Sequence, residues 1–205
     1  SIEEQGKLTE ELKEKILQAE TMVTVEDLYR PYRPKRKTRA SVAKEKGLGP
    51  LAEIILAQEI TTDILEEAAK YVSEEKEVKT AEEAIAGALD IIAEKISDEA
   101  EYRAYIREAT MEEGSISSSA KDEEAESVYE MYYNFSEKLA TLPGHRILAL
   151  NRGENEKMLT VKISAPEERI LRYLEKKVIV KENPHTTDAL KATMEDSYHR
   201  LIAPA

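Results

Sequence analysis

The sequence has no cysteine and no tryptophan, a single phenylalanine, and only seven glycines and seven prolines among its 205 residues. Without cysteine there is no disulfide framework, no thiolate metal site and no cysteine nucleophile, and a reducing compartment such as the cytoplasm is expected. The longest apolar run, Ala84 to Leu89, is six residues long and includes Gly87. A membrane-spanning helix needs about 20 apolar residues, and the charged N-terminal stretch is not patterned as a signal peptide. Scarce glycine and proline, with a charged fraction of 35% against about 25% in ordinary domains, read as a helical chain. At this length folding buries roughly 70% of the surface of the unfolded chain, so a hydrophobic core suffices without staples.

What is abundant is acid. The formal net charge is −12, which taken alone argues against a polyanionic partner. Its distribution argues the other way. From Arg30 to Lys46 stand Arg30, Arg33, Lys35, Arg36, Lys37, Arg39, Lys44 and Lys46 against the single acid Glu45, a net of +7 in seventeen residues. The remainder holds 22 basic against 41 acidic residues, a net of −19. The chain therefore offers one basic site on an acidic body.

Helix punctuation recurs along the sequence. Thr9, with Glu10 and Glu11 after it, caps a helix that buries Leu12, Ile16 and Leu17, and Thr24 is read as the cap of a short helix from Val25 to Tyr29. Pro31 and Pro34 then hold residues 32 to 37 extended. Thr38 starts a helix that stops at Gly47, Pro50 opens the helix from Leu51 to Gln58, and another runs from Asp63 to Val72. Thr80 and Glu83 form a capping box before Ile85, Ala88, Leu89, Ile92 and Ile96. Ser97 is read as the cap of the next helix, which turns Tyr102, Tyr105, Ile106 and Ala109 inward and ends at Gly114. The two together have a helix-turn-helix look.

Ser115 to Ala120 reads as an exposed polar loop, and Lys121 to Ala140 as a helix with Ala125, Val128, Tyr132 and Phe135 on one face. Ile147 to Leu150 is assigned to helix. Met158 to Ser164 alternates as a half-buried strand, with Val178 to Lys181 as its expected partner. The expected fold is mainly α, with a helix-turn-helix-like element and a small β element near residues 158–181. Three regions are expected: 1–79 with the basic strap, 80–142 around the helix-turn-helix-like pair, and a mixed region 143–205.

Catalytic patterns are scarce. There is no Gly-x-Ser-x-Gly turn and no phosphate loop beyond Gly47-Leu48-Gly49, and His145, His185 and His199 lack metal-ligand spacing. Acidic runs such as Glu112-Glu113 and Asp122-Glu123-Glu124 complement helix ends. No enzymatic activity, cofactor, metal or small-molecule substrate is expected.

Two basic segments carry the functional reading. In the first, Tyr29 to Ala40, prolines lower the entropy of ordering, Lys35, Arg36, Lys37 and Arg39 can neutralise phosphates, and Tyr29 and Tyr32 can stack on bases. The same residues equally suit a basic strap lying across the acidic body of their own chain. In the second, His145 to Glu154, Arg146 and Arg152 are candidates for phosphate contact or for pairing with the acids nearby.

These segments are also where the sequence resembles a known family. Tyr29-Arg30-Pro31-Tyr32, the basic cluster, Thr38-Arg39-Ala40, Lys44 to Leu48 and Pro50-Leu51-Ala52 resemble the bacterial Tex family of transcription accessory proteins. So do His145-Arg146-Ile147-Leu148-Ala149 with Arg152-Gly153-Glu154, the segment Gly87 to Glu94, and Arg200 to Pro204. The resemblance implies a helical region of a longer protein, upstream of an RNase H-like domain. It also implies that an S1 RNA-binding domain outside this sequence is the main nucleic-acid contact. Binding of RNA or DNA by this chain is then expected to be weak, and the transcription machinery is an expected partner. A module that binds other protein domains, with the strap as an internal clamp, is the alternative.

Overall fold

The computed structural model describes residues 6, 8–19, 22–32 and 38–204. Among them run ten α-helices, one three-stranded sheet and a closing π-helical turn, so the chain is mainly α. It divides into two units, residues 1–104 with 171–205, and residues 105–170.

The first unit is built around one long helix. Its opening helix α1 (Glu10–Gln18) is capped by Thr9, whose hydroxyl accepts from the Leu12 amide at 3.1 Å. Helix α2 (Met22–Tyr29) begins two residues ahead of Thr24, which therefore lies inside the helix and does not cap it. Intrinsic propensity is a weak constraint, and a threonine in the first turn costs only a few tenths of a kcal/mol. After a 3₁₀ turn at Arg30–Tyr32 comes α3 (Arg39–Glu45), closed at both ends by its own side chains and backbone. Thr38 Oγ1 accepts from the Ser41 amide at 3.1 Å, and Ser41 Oγ accepts from the Thr38 amide at 2.8 Å. At the other end the Leu48 amide reaches Ala43 O and the Gly47 amide reaches Lys44 O, with Gly47 at φ +78°. This is the paired bonding of a Schellman motif, whose left-handed position favours glycine.

Helix α4 (Gly49–Ala57) has Pro50 in its first turn and ends on Gln58 in the left-handed region, and α5 (Ile64–Ala69) is capped by Asp63. A tight turn bridged between Ser73 and Val78 leads to α6 (Ala81–Ser97). Here the expected capping box is offset by one residue. Thr80 Oγ1 accepts from the Glu83 amide at 3.1 Å, while the Glu83 carboxylate takes the Lys79 amide at 2.9 Å. Helices α3, α4 and α5 pack on α6, as do α10 (Thr187–Asp196) and the π-helical turn Ser197–Ile202. Leu48, Leu51, Ile55, Ile92, Leu190 and Met194 are fully buried, each worth about 1.5–3 kcal/mol relative to exposure.

Ser97 does not cap the following helix. It is the last residue of α6, its hydroxyl donates back to Glu94 O at 2.8 Å, and its carbonyl takes the buried Arg103 Nε–H. A serine hydroxyl that bonds its own preceding turn is not available to cap the next. Helix α7 (Ala100–Glu113) follows after Asp98 and Glu99, and α9 (Glu167–Val178) precedes the final loop.

The second unit corrects three expectations. Ser115–Ala120 is no loop but β1, the central strand of an antiparallel sheet ordered β2-β1-β3, with β2 at Asn134–Lys138 and β3 at Leu159–Ser164. The helix expected over Lys121 to Ala140 is absent. That stretch holds a 3₁₀ turn at Glu130–Tyr132, then β2, then a second 3₁₀ turn at Leu139–Thr141. Its helical spacing was a coincidence, since Val128 on the supposed buried face is 86% exposed, and the alternation of Phe135 and Glu137 is the true period. Val178 to Lys181 is not the partner of β3, because Val178 closes α9. Strand β3 instead pairs with β1 from Ser115↔Ser164 to Ala120↔Leu159.

Helix α8 (Gly144–Asn155) contains Ile147 to Leu150, as expected. The core of this unit is Ile116, Tyr129, Tyr132, Leu150 and Leu159, with Phe135 and Val161 against it. Gly153 lets α8 approach β3, since a Cβ there would collide with the Leu159 side chain. One face of the sheet thus meets this core. The positions that alternate with it, Ser115, Ser117 and Ser119 on β1, Asn134, Ser136 and Lys138 on β2, and Thr160, Lys162 and Ser164 on β3, form the outer face.

Candidate nucleic-acid interface

Of the basic strap, Lys35, Arg36 and Lys37 lie outside the described residues. Arg39 is described and exposed, on the first residue of α3, where the Thr38 cap fixes the direction of the chain. Thr38 is itself tied to α6, its hydroxyl donating to Glu94 Oε2 at 3.1 Å. No hydrogen bond or ion pair engages the Arg39 guanidinium among the described residues, yet its charge is felt by two carboxylates, Asp90 on α6 and Asp196 on α10.

Those carboxylates belong to an ion network that sequence reading missed. Arg200 grips Asp196 with two prongs, Nε to Oδ1 at 3.1 Å and Nη2 to Oδ2 at 2.9 Å, and its Nη2 lies 3.7 Å from Asp90 Oδ1. The Arg200 hydrogen bond holds the Asp196 carboxyl below the usual range, and Asp196 raises Arg200 in return. Burial pushes Asp90 up, with Arg200 and then Arg39 opposing. The i,i+4 spacing of Asp196 and Arg200 was visible in the sequence, whereas Asp90 joins them only through the packing of α6 on the C-terminal segment.

Arg39 also borders a groove of about 770 Å³ beside α3 and α6. Its charged lining is balanced, with Arg39, Lys46 and Lys79 against Glu77, Glu83 and Asp90. Balanced charge makes the groove itself a poor cradle for a polyanion.

In the second unit Arg146 and Arg152 share α8 but differ in setting. The Arg146 guanidinium lies 5.4 Å from the Phe135 ring centre, with Nη1 3.7 Å from Glu137 Oε1, and the side chain is 32% exposed. It is thus engaged in packing across β2. Arg152 is exposed near the end of α8, and so is His145 at its start. The Tyr129 hydroxyl beneath is pushed up by burial and by its bond to Glu156, with Arg152 opposing. Arg39 stands in one unit, Arg146 and Arg152 in the other.

Among the described residues, no three or more His, Asp or Glu side chains are grouped to hold a metal ion, and no helix is long and apolar enough to cross a membrane.

Comparison with known proteins adds the family. Residues 59–196 match the family model described as Tex central region-like. The chain is 51% identical over 207 residues to the protein YdcI of Bacillus subtilis, covering all of this chain and 29% of that protein. It is 37% identical over 164 residues to the transcriptional accessory protein Tex of Neisseria gonorrhoeae, covering 78% of this chain and 21% of that one. It is 26% identical over 219 residues to human S1 RNA-binding domain-containing protein 1, covering 99% of this chain and 22% of that protein. A mainly α chain with the Tex basic segments and a Tex central region belongs to the Tex family of transcription accessory proteins. It spans less than a third of the length of these relatives.

Proposed function

We propose that this chain is a non-catalytic scaffold region of a Tex-family transcription accessory protein, working in the cytoplasm, that contacts RNA or DNA electrostatically. The observation that carries the reading is the segregation of charge, +7 over residues 30–46 in a chain of net −12. Lys35, Arg36, Lys37 and the exposed Arg39 are the phosphate contacts, with Arg152 a further one and Arg146 secondary because it is already engaged by Glu137 and Phe135. The human relative is named for an S1 RNA-binding domain, and we take this chain to supplement such a domain with contacts that position the backbone without reading sequence. No cofactor takes part. The carboxylates with displaced pKa values, Asp90 and Asp196, are accounted for by the Arg200 network and need no catalytic role.

A second reading has a specific observation behind it. Arg39 lies within the field of Asp90 and Asp196, as a strap clamping its own helices would. Titration of labelled single- and double-stranded RNA and DNA with the 205-residue chain over a salt series separates the two. Phosphate binding gives a log K that falls linearly with log salt, by about 0.7 to 0.9 per phosphate neutralised. The clamp reading gives no binding at low salt.

A further inference from the structure

We propose that the outer face of the β2-β1-β3 sheet is a second binding surface for the phosphodiester backbone of nucleic acid. The inference rests on the reading that this chain binds nucleic acid, and it places a contact where the basic segments do not.

The face is defined by register. Ser115, Ser117 and Ser119 of the central strand point to it, with Lys138 of β2 opposite Ser115 on one flank and Lys162 of β3 opposite Ser117 on the other. Spacings of about 4.8 Å between strands and 3.4 Å per residue put the two lysine backbones about 12 Å apart, diagonally across the face.

Three observations point to an anionic backbone. The first is the exclusion of acid. With 42 acidic residues in 205, about one position in five, none falls on this face. The only acid in the three strands, Glu137, points to the other side and is held by Arg146. The second is that the polar groups are unspent. Lys138 and Lys162 are exposed and make no ion pair or side-chain hydrogen bond among the described residues, and the hydroxyls of Ser115, Ser117 and Ser119 are likewise unengaged. Inward-facing Ser118, by contrast, donates to Tyr132 O at 2.6 Å. The third is the choice of serine on a central strand, where β-branched and aromatic residues fit better. Small hydroxyl side chains give up that fit but let another backbone come close and donate to its phosphate oxygens. No aromatic ring lies on this face, so base stacking is excluded and affinity should be independent of sequence.

The test uses the whole 205-residue chain and a labelled single-stranded RNA of mixed sequence, titrated over a salt series. Lys138→Ala with Lys162→Ala is compared with Lys176→Ala with Lys191→Ala, a pair of exposed lysines elsewhere that changes net charge equally. The sheet pair is expected to reduce the salt slope by about 1.4, the other pair to leave it unchanged. Ser117→Asp, checked for an intact melting transition, is expected to weaken binding about tenfold by placing a carboxylate amid the phosphates. A slope retained in the sheet variant, or an equal drop in both pairs, overturns the sheet surface while the broader reading stands. If the unmodified chain binds no RNA, the broader reading fails and the sheet surface with it.

Discussion

Asn183 donates its side-chain amide to the backbone carbonyl of Gln58 at 3.0 Å, across 125 residues of sequence, and to that of Ile60 at 2.9 Å. Gln58 answers in kind. Its own amide donates to Val178 O at 2.8 Å and its carbonyl accepts from the Lys181 amide at 3.3 Å. The left-handed turn at Gln58 ends α4 and presents these groups, and both residues are almost fully buried. The two side chains thus stitch the loop after α9 to the end of α4.

Replacing Asn183 with leucine keeps the branching of the side chain at a larger volume and removes the donor from the buried Gln58 carbonyl and the partly buried Ile60 carbonyl. The expected loss is about 2–3 kcal/mol of stability, read as a lower urea midpoint with an unchanged m-value.

Gly87 faces Leu48, and a Cβ there would collide with the Leu48 side chain and stand 3.3 Å from Ala43 Cβ. Leu48 is itself buried, so it has little room to yield. Gly87→Ala is expected to destabilise by about 1–3 kcal/mol, although alanine is the better helix former. A melting temperature that rises would contradict this close approach of Gly87 to Ala43 and Leu48.

The Arg200 network makes stability depend on pH. Asp196 has its carboxyl pKa lowered by Arg200, so its contribution is complete above the unfolded value of about 3.9 and is lost as pH falls through the lower folded value. Asp90 works in the opposite sense, its raised pKa making its charge oppose the fold above that value and its protonation relieve the cost. Asp196→Asn is expected to lower stability at pH 7 by about 0.5–1 kcal/mol, discounted because the pair is partly solvated. Calorimetry should show the difference closing as pH falls through the lowered folded value of Asp196. Asp90→Asn should cost less at neutral pH than Asp196→Asn.

Arg146 and Arg152 should separate by phenotype. Arg146→Ala removes packing on Phe135 and leaves Glu137 without its partner, with an expected cost of about 1 kcal/mol in thermal unfolding. Arg152→Ala, on an exposed position, should leave the melting temperature unchanged and lower the salt slope of RNA binding by about 0.7.

The helical skeleton of the first unit was legible because its ends are written in local chemistry. Thr9 and Thr80 cap as the sequence predicts, the helices expected to start at Thr38 and Asp63 do start there with those residues as their caps, and Gly47 ends α3. The second unit was not. Ser115 to Ala120 has a single β-branched residue, Ile116, and no clear apolar alternation, and it becomes a strand because β2 and β3 pair on both its sides. The acids and tyrosines of residues 121–133 resemble a helix in composition, and tertiary packing of Tyr129 and Tyr132 decides otherwise. At the candidate site, the charge contrast of residues 30–46 was plain in the sequence. The field of Asp90 and Asp196 on Arg39, and the engagement of Arg146, arise from contacts between elements that no local pattern encodes.

The most direct test of the central claim is RNA binding over a salt series by the chain with Lys35, Arg36, Lys37 and Arg39 all changed to alanine, with its melting curve recorded in parallel. Phosphate contact by the strap predicts a salt slope shallower by about three units and a nearly unchanged melting temperature. An unaltered slope, or no binding by the parent chain together with a variant that melts several degrees lower, would contradict it and make the strap a clamp.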